Sequence, residues 1–339
     1  MNHITLFILV FVHTLWALSA AGPVPALLNK RIYNGNALPA CTAPFEVSVA
    51  TIRGNIASTC GGTLISPRHV ITAAHCLLPY NTSYPVKIGY NSQTKSQQTV
   101  VQATKVTIHP KYIANEDDSR YDIAILEIPS VKFGKHTQRM PIYNATVGPG
   151  QDLLAVGWGK VESSKIARDA LRGTNVVVGG VQECQEYKRD FLGASDARVC
   201  ALGRLTPGAG ICGGDSGSSV SIAHKGQQYF VGLSSRIVFF NGDTCGGKDS
   251  ASFFVRIGYF LDYIAESTGL THEYLLNQDA ESSSPYSALP SSSPVYTALP
   301  IGRLPPSTTP SSQPPDPTPT EENVVTVTIT EYLIRTARP

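Results

Sequence analysis

Charge is scarce in this chain. Of 339 residues, 15% are Asp, Glu, Lys or Arg, and the formal net charge is +2. Such a weak balance provides no basic stripe for a phosphate backbone, which argues against nucleic acid as a partner. Long apolar runs are missing too. The run Leu6 to Val12 is cut off by polar His13 and Thr14 and then by Gly22-Pro23, so it is too short for a membrane anchor. Near the other end Val324 to Ile329 alternates Val and Thr and is too short for a span or a lipid-anchor signal. Helical periodicity is rare. It is convincing over Tyr259 to Ser267, where Phe260, Leu261, Ile264 and Ala265 share a face and Gly269 acts as a stop. A weaker helical turn falls near Val181 to Lys188. An even cysteine count is also lacking: the seven are Cys41, Cys60, Cys76, Cys184, Cys200, Cys212 and Cys245. One is therefore left free or paired to another chain.

What is present divides the chain into four parts. Residues 1–21 read as a signal peptide, with the apolar run followed by small Ser19-Ala20-Ala21. The expectation is a secreted, extracellular protein in which disulfides persist. Residues 22–31 read as a pro-segment that ends in the dibasic Lys30-Arg31, directly before apolar Ile32. Residues 32–270 carry many short runs rich in Val, Ile, Thr and Tyr, broken by Gly, Pro, Asn and Ser. That pattern predicts an all-β barrel or sandwich. A stretch of little pattern over 130–150 is the expected boundary between two barrels. Asn81 (in Asn81-Thr82-Ser83) and Asn144 (in Asn144-Ala145-Thr146) are glycosylation acceptors.

Residues 271–339 change composition to Ser, Thr and Pro. They include two near-copies, 282–290 and 291–300, each opening on Ser-Ser-Ser-Pro and closing on Ala-Leu-Pro. Such a tail buries too little apolar surface to fold and is expected to be disordered. In a secreted chain it suggests an O-glycosylated stalk that attaches the protein to a cell wall or surface. A tail with no tethering role is the equal alternative.

Three stretches carry chemistry. In Gly213-Gly214-Asp215-Ser216-Gly217-Ser218 a serine sits between glycines that let the backbone approach a substrate. Its hydroxyl is a candidate nucleophile, and its own N–H is part of an oxyanion hole. In Thr72-Ala73-Ala74-His75-Cys76 small neighbours leave space around a histidine ring, and Cys76 is placed to pin the loop to Cys60. In Tyr121-Asp122-Ile123-Ala124-Ile125-Leu126 an acid heads an apolar run, where a buried carboxylate needs a partner.

His75, Asp122 and Ser216, in that order, resemble the triad of the chymotrypsin/trypsin-like serine proteases. Cys60-Gly61-Gly62-Thr63-Leu64-Ile65 and Gly157-Trp158-Gly159 add to the likeness, which covers about residues 32–270. The resemblance implies two six-stranded antiparallel β-barrels with a short C-terminal helix and a site between them. It implies a serine endopeptidase with Gly214 and Ser216 as oxyanion donors. It implies disulfides Cys60–Cys76, Cys184–Cys200 and Cys212–Cys245, and leaves Cys41 without a family partner. It also implies a zymogen: cleavage after Arg31 frees Ile32, whose ammonium group pairs with Asp215. Protein or peptide substrates and protease inhibitors are the expected partners, with no metal or cofactor, and the protein is expected to be a monomer.

Specificity departs from the family name. Trypsin-like members have an aspartate six residues before the nucleophile, and here that residue is Gly210. With Ser235, Ile237 and Ser252 assigned to the pocket walls, a branched Ile237 narrows the pocket and favours small or medium apolar residues. Asp243 or Asp249, in a segment longer than usual, could instead enter the pocket and restore a basic preference. Arg236, and Ser218-Ser219 after the nucleophile, also depart from the pattern. The rival reading from another class is a catalytically weak or inactive protease-fold adhesion protein on a stalk.

Overall fold

A computed structural model of the chain describes residues 32, 35–53, 56–78, 85–92, 94–114, 119–162, 165–166, 170–277 and 325–328. The stretches expected to be a signal peptide (1–21) and a pro-segment (22–31), Asn81 and all of the tail after residue 277 except 325–328 lie outside the described residues.

The strands, in chain order, are β1 (Asn36–Ala37), β2 (Glu46–Arg53), β3 (Ile56–Ser66), β4 (His69–Thr72), β5 (Val86–Tyr90), β6 (Thr99–Gln102), β7 (Lys105–Ile108) and β8 (Ala124–Glu127). After them come β9 (Asp152–Gly157), β10 (Lys160–Glu162), β11 (Lys165–Ile166), β12 (Arg172–Val177), β13 (Arg198–Leu202), β14 (Ser219–His224), β15 (Gln227–Phe239), β16 (Ser250–Arg256) and β17 (Val325–Thr328). The first sheet is antiparallel and runs β6-β5-β2-β3-β4-β8-β7. The second runs β1-β12-β9-β14-β15-β16-β13, with β17 added beside β15. Each sheet makes one barrel-like half, so the all-β class holds. The strand counts are seven and eight instead of six and six. Two of the extra strands are the two-residue β1 and the tail strand β17, and neither follows from the pattern of the body.

Alternation explains the strands. In β2, Val47 and Val49 are buried while Ser48 and Ala50 are half-buried, the period of two that faces one side of a sheet to a core. One apolar cluster joins both halves: Leu64, Ile71, Ile88 and Ile125 from the first meet Val156, Trp158, Leu171 and Leu233 from the second. Each such side chain contributes roughly 1.5–3 kcal/mol by leaving water. The helix expected over Tyr259 to Ser267 is a 3-10 turn, Ile257–Phe260, leading into α2 (Leu261–Thr268), which Gly269 ends in a left-handed conformation. Phe260 and Tyr263 pack on His109, which stacks on Tyr121 at 5.1 Å. The C-terminal helix thereby fastens the segment leading into Asp122. The turn near Val181 is α1 (Val181–Gln185). Residues 271–276, expected to belong to a disordered tail, instead continue the fold: α3 (His272–Leu276) buries Leu275 in the apolar cluster that joins the two halves.

Candidate active site

Pairing of β4 with β8 decides where the first two groups meet. Thr72 pairs with Ala124 and Ile71 with Ile125. His75 lies three residues beyond the end of β4, and Asp122 two residues before the start of β8, so both fall at the same end of the sheet. Ala73 and Ala74 are fully buried. Their small side chains let a 3-10 turn, Ala74–Leu77, tuck the histidine inward. The Cys60–Cys76 disulfide ties that turn to β3. Asp122 Oδ2 lies 2.7 Å from His75 Nδ1, and Oδ1 accepts the His75 backbone N–H at 2.9 Å. Ser235 Oγ donates to Oδ2 at 2.5 Å.

The serine comes from the other half. Ser216 is fully buried, and its carbonyl accepts the Gly61 N–H at 2.7 Å. Gly217, at φ +75°, presses on the histidine-bearing segment: a Cβ there would lie 3.0 Å from Ala73 N and closer still to Thr72 Oγ1 and the Gly61 carbonyl. Gly214 is at φ +93°, with room for a Cβ only at 3.1 Å from Gly159 Cα. Both positions demand the angle and the close approach that glycine alone provides cheaply. Ser234 exchanges backbone hydrogen bonds with the same loop, accepting from Gly217 and donating to the Ser218 carbonyl.

The buried acids differ in charge preference. Burial raises the Asp122 carboxyl, but the charge and hydrogen bonds of His75, with the Ser235 hydroxyl, carry it below its ordinary value. Asp215 is fully buried, and burial pushes it up to about 7 against the N–H groups of Cys212 and Gly159 and the charge of Lys95. Lys95 sits 5.5 Å over the Trp158 ring, and burial lowers its ammonium to about 8 against the pull of Asp215. Ile32 is fully buried, at φ +44°, an angle that a β-branched residue adopts only under strain.

Glu46 is a third buried acid. One oxygen accepts from Ser219 N and Oγ, at 3.2 and 2.8 Å. Its other oxygen and the Ser218 hydroxyl both lie against Gly61, and neither makes a hydrogen bond of good geometry. Burial pushes this carboxyl up to about 8, over the opposing hydrogen bonds of Ser219 and the weaker pull of the nearby Ser218 hydroxyl. Sequence patterns alone single out neither Glu46 nor Lys95. Glu46 does carry a signal: like Asp122 it is an acid set against an apolar run, between Phe45 and Val47. Lys95, in a short 3-10 turn, Lys95–Gln97, carries none.

Gly210 faces Gly246 and Ser252, with a Cβ there 3.1 Å from Gly246 Cα. Ile237 pairs with Ser252 across β15 and β16 and packs in the apolar cluster with Ile211. The Asp243 carboxylate accepts the N–H groups of Thr244 and Asp249, which closes its own loop. Burial lowers the Arg236 guanidinium, against an opposing pull from Tyr112. Asn144 is exposed. Two further disulfides join Cys184 to Cys200 and Cys212 to Cys245. Cys41 is free, its Sγ 3.2 Å from His136 Nδ1. Cys60, His75 and Cys76 hold ligand-type atoms within 4.8 Å of one another. The two sulfurs are joined in a disulfide and offer no thiolate to a metal.

A family model described as Trypsin matches residues 32–264. The chain belongs to the trypsin family of serine proteases. Among the relatives of this trypsin-family chain is "Trypsin 5G1" of Aedes aegypti, 32% identical over 245 residues, which are 71% of this chain and 86% of the relative. "Trypsin" of Simulium vittatum is 30% identical over 205 residues, 59% of this chain and 81% of the relative. A solved structure titled neuropsin, a serine protease expressed in the limbic system of mouse brain, matches in fold with a TM-score of 0.56. It is 23% identical, and the match covers 69% of this chain and 98% of that one. Membership implies protein substrates. The three disulfides suit an oxidising, extracellular setting.

Proposed function

We propose that this trypsin-family chain is a secreted serine endopeptidase, made as a zymogen, in which Ser216, His75 and Asp122 form the catalytic triad. The observation that carries the reading is the grip on Asp122. It takes the His75 Nδ1 at 2.7 Å and the His75 N–H at 2.9 Å, while Ser235 fills a further acceptor site. A carboxylate held this way fixes the tautomer with the proton on Nδ1, which turns Nε2 into the base. Ser216 attacks the scissile carbonyl and gives its proton to His75. The resulting imidazolium is stabilised by Asp122 and then protonates the leaving amine. The acyl-enzyme is hydrolysed by water along the same path in reverse. The N–H groups of Gly214 and Ser216 hold the oxyanion, each such donor worth roughly 10²–10³ in kcat.

Asp215 supports the zymogen reading. A fully buried carboxyl raised to about 7 favours its neutral form, and a new cation beside it restores the carboxylate. Cleavage after Arg31 supplies that cation on Ile32. Gly210 supports a pocket without a basic preference: the space for a side chain at its base is closed by Gly246. Ile237 narrows one wall, so small or medium apolar residues precede the scissile bond, and Asp243 stays engaged in its own loop. Asn144, exposed, serves as a glycosylation site, and the tail attaches the enzyme to a surface.

The test is a peptide-library digest with the purified chain processed after Arg31. Cleavage after small or medium apolar residues is expected, and it vanishes in Ser216→Ala. Hydrolysis that persists in a pure sample of the variant, or a strict Arg/Lys preference, contradicts the corresponding part of the reading.

A further inference from the structure

The long strand β15 changes partners half-way. From Gln227 to Leu233 it pairs with β14. Beyond that, β14 has turned off into the nucleophile loop. Arg236 to Phe239 keep β16 on one side, and on the other they meet β17 of the tail. That pairing is antiparallel: Arg236 with Thr328, Ile237 with Val327, Val238 with Thr326, Phe239 with Val325.

This edge begins at the catalytic cluster. Ser234 is hydrogen-bonded to Gly217 and Ser218, and Ser235 to Asp122. A bare strand edge is a row of unpaired N–H and C=O groups that any extended peptide can complete, with affinity coming from the backbone. The tail holds a segment suited to that. Residues 324–329, Val-Val-Thr-Val-Thr-Ile, are all β-branched and contain no proline. Residues 304–319 just before them carry seven prolines, which cannot donate to a ladder. The 47 residues between Asn277 and Val325 permit a reach of up to roughly 150 Å. Tethering of this kind gives an effective concentration on the order of millimolar.

We propose that Val325–Thr328 is an inhibitory strand. It docks on the edge of β15 beside the catalytic cluster and must leave before an extended substrate can lay its backbone there. The idea rests on the protease reading above. Clipping or sequestering the tail then raises the activity of the processed enzyme toward long substrates, and a surface that binds the tail becomes an activator.

The test uses the full chain, processed after Arg31. The double variant Val327→Pro/Thr328→Pro removes two adjacent donors, so the ladder is broken whichever residue bonds. A control, Ser311→Pro/Ser312→Pro, changes the tail elsewhere. KM for an extended peptide should fall by ~10-fold in the first variant with kcat unchanged. The control should match the parent, and a small single-residue ester should show no change in any of them. A fluorescent peptide of residues 323–331 should bind the Val327→Pro/Thr328→Pro chain and be displaced by the extended substrate. An unchanged KM, or a peptide that fails to bind, overturns the proposal. If no form hydrolyses the ester, the protease reading fails instead, and peptide binding still decides whether the edge takes this strand.

Discussion

Asp122 and Asp215 are both buried, and burial alone drives both carboxyls upward, yet they finish on opposite sides of the ordinary value. The difference lies in their company. Asp122 meets an ionisable histidine and a serine hydroxyl, with hydrogen bonds at 2.5 to 2.9 Å. Asp215 meets two backbone N–H groups and a lysine whose own charge is weakened by burial. Partnership outweighs desolvation in the first case and loses to it in the second. On the proposed reading this is the contrast between a centre assembled in advance and a latch that lacks its cation.

On that reading both acids serve Ser216, and the largest expected effect comes from removing its hydroxyl. Ser216→Ala should lower kcat by a factor on the order of 10⁶, measured on a peptide with the processed enzyme. Asp122→Asn keeps the shape but reverses the tautomer of His75, and should cost roughly 10⁴ in kcat. If Asp122→Asn and Asp215→Asn instead cost the same, the proposed division of labour between them fails.

Asp215→Asn should be milder. Removing one partner of a buried pair costs about 3–5 kcal/mol, which is roughly 10² to 5 × 10³ in kcat/KM if it all falls on the active state. Its pH signature is separate. In the unprocessed chain the folded carboxyl holds its proton to about 7, against an ordinary 3.8. Between those values the folded state binds more protons than the unfolded one, so stability falls as pH rises. Asp215→Asn should flatten that fall in a melting series, and processing after Arg31 should flatten it as well.

The smallest effect belongs to Glu46, which no chemistry requires to be charged. Its folded carboxyl titrates near 8, against an ordinary 4.5. Stability is therefore lost as pH rises between these values. Glu46→Gln should melt higher than the parent at pH 8 and at the same temperature or lower at pH 4. A variant that is less stable at both would mean that the carboxylate form is the one the fold uses.

Much of the fold and the site is legible in the residues themselves. His75 stands out by its small neighbours, Asp122 as an acid on an apolar run, and Ser216 by its glycines. The pairing of β4 with β8 then brings the first two together. The register of the strands is less legible, because short alternating runs say which face is buried and not which strand lies beside which. Ser235 shows the limit: assigned to a pocket wall, it also turns its hydroxyl to Asp122, a contact 113 residues away in sequence. Lys95 becomes visible only through the fold that sets it over Trp158. The strand character of Val324 to Ile329 is plain in the alternation, but its place on β15 is not.

The central claim, an activated serine released by cleavage, is tested most directly with a serine-directed phosphonate probe. The chain is incubated with it before and after processing at Arg31, and the labelled residue is located by mass spectrometry. The account predicts one label, on Ser216, forming after processing and slowly or not at all before it. An unlabelled processed chain, a label elsewhere, or equal labelling of Ser216→Ala would contradict it.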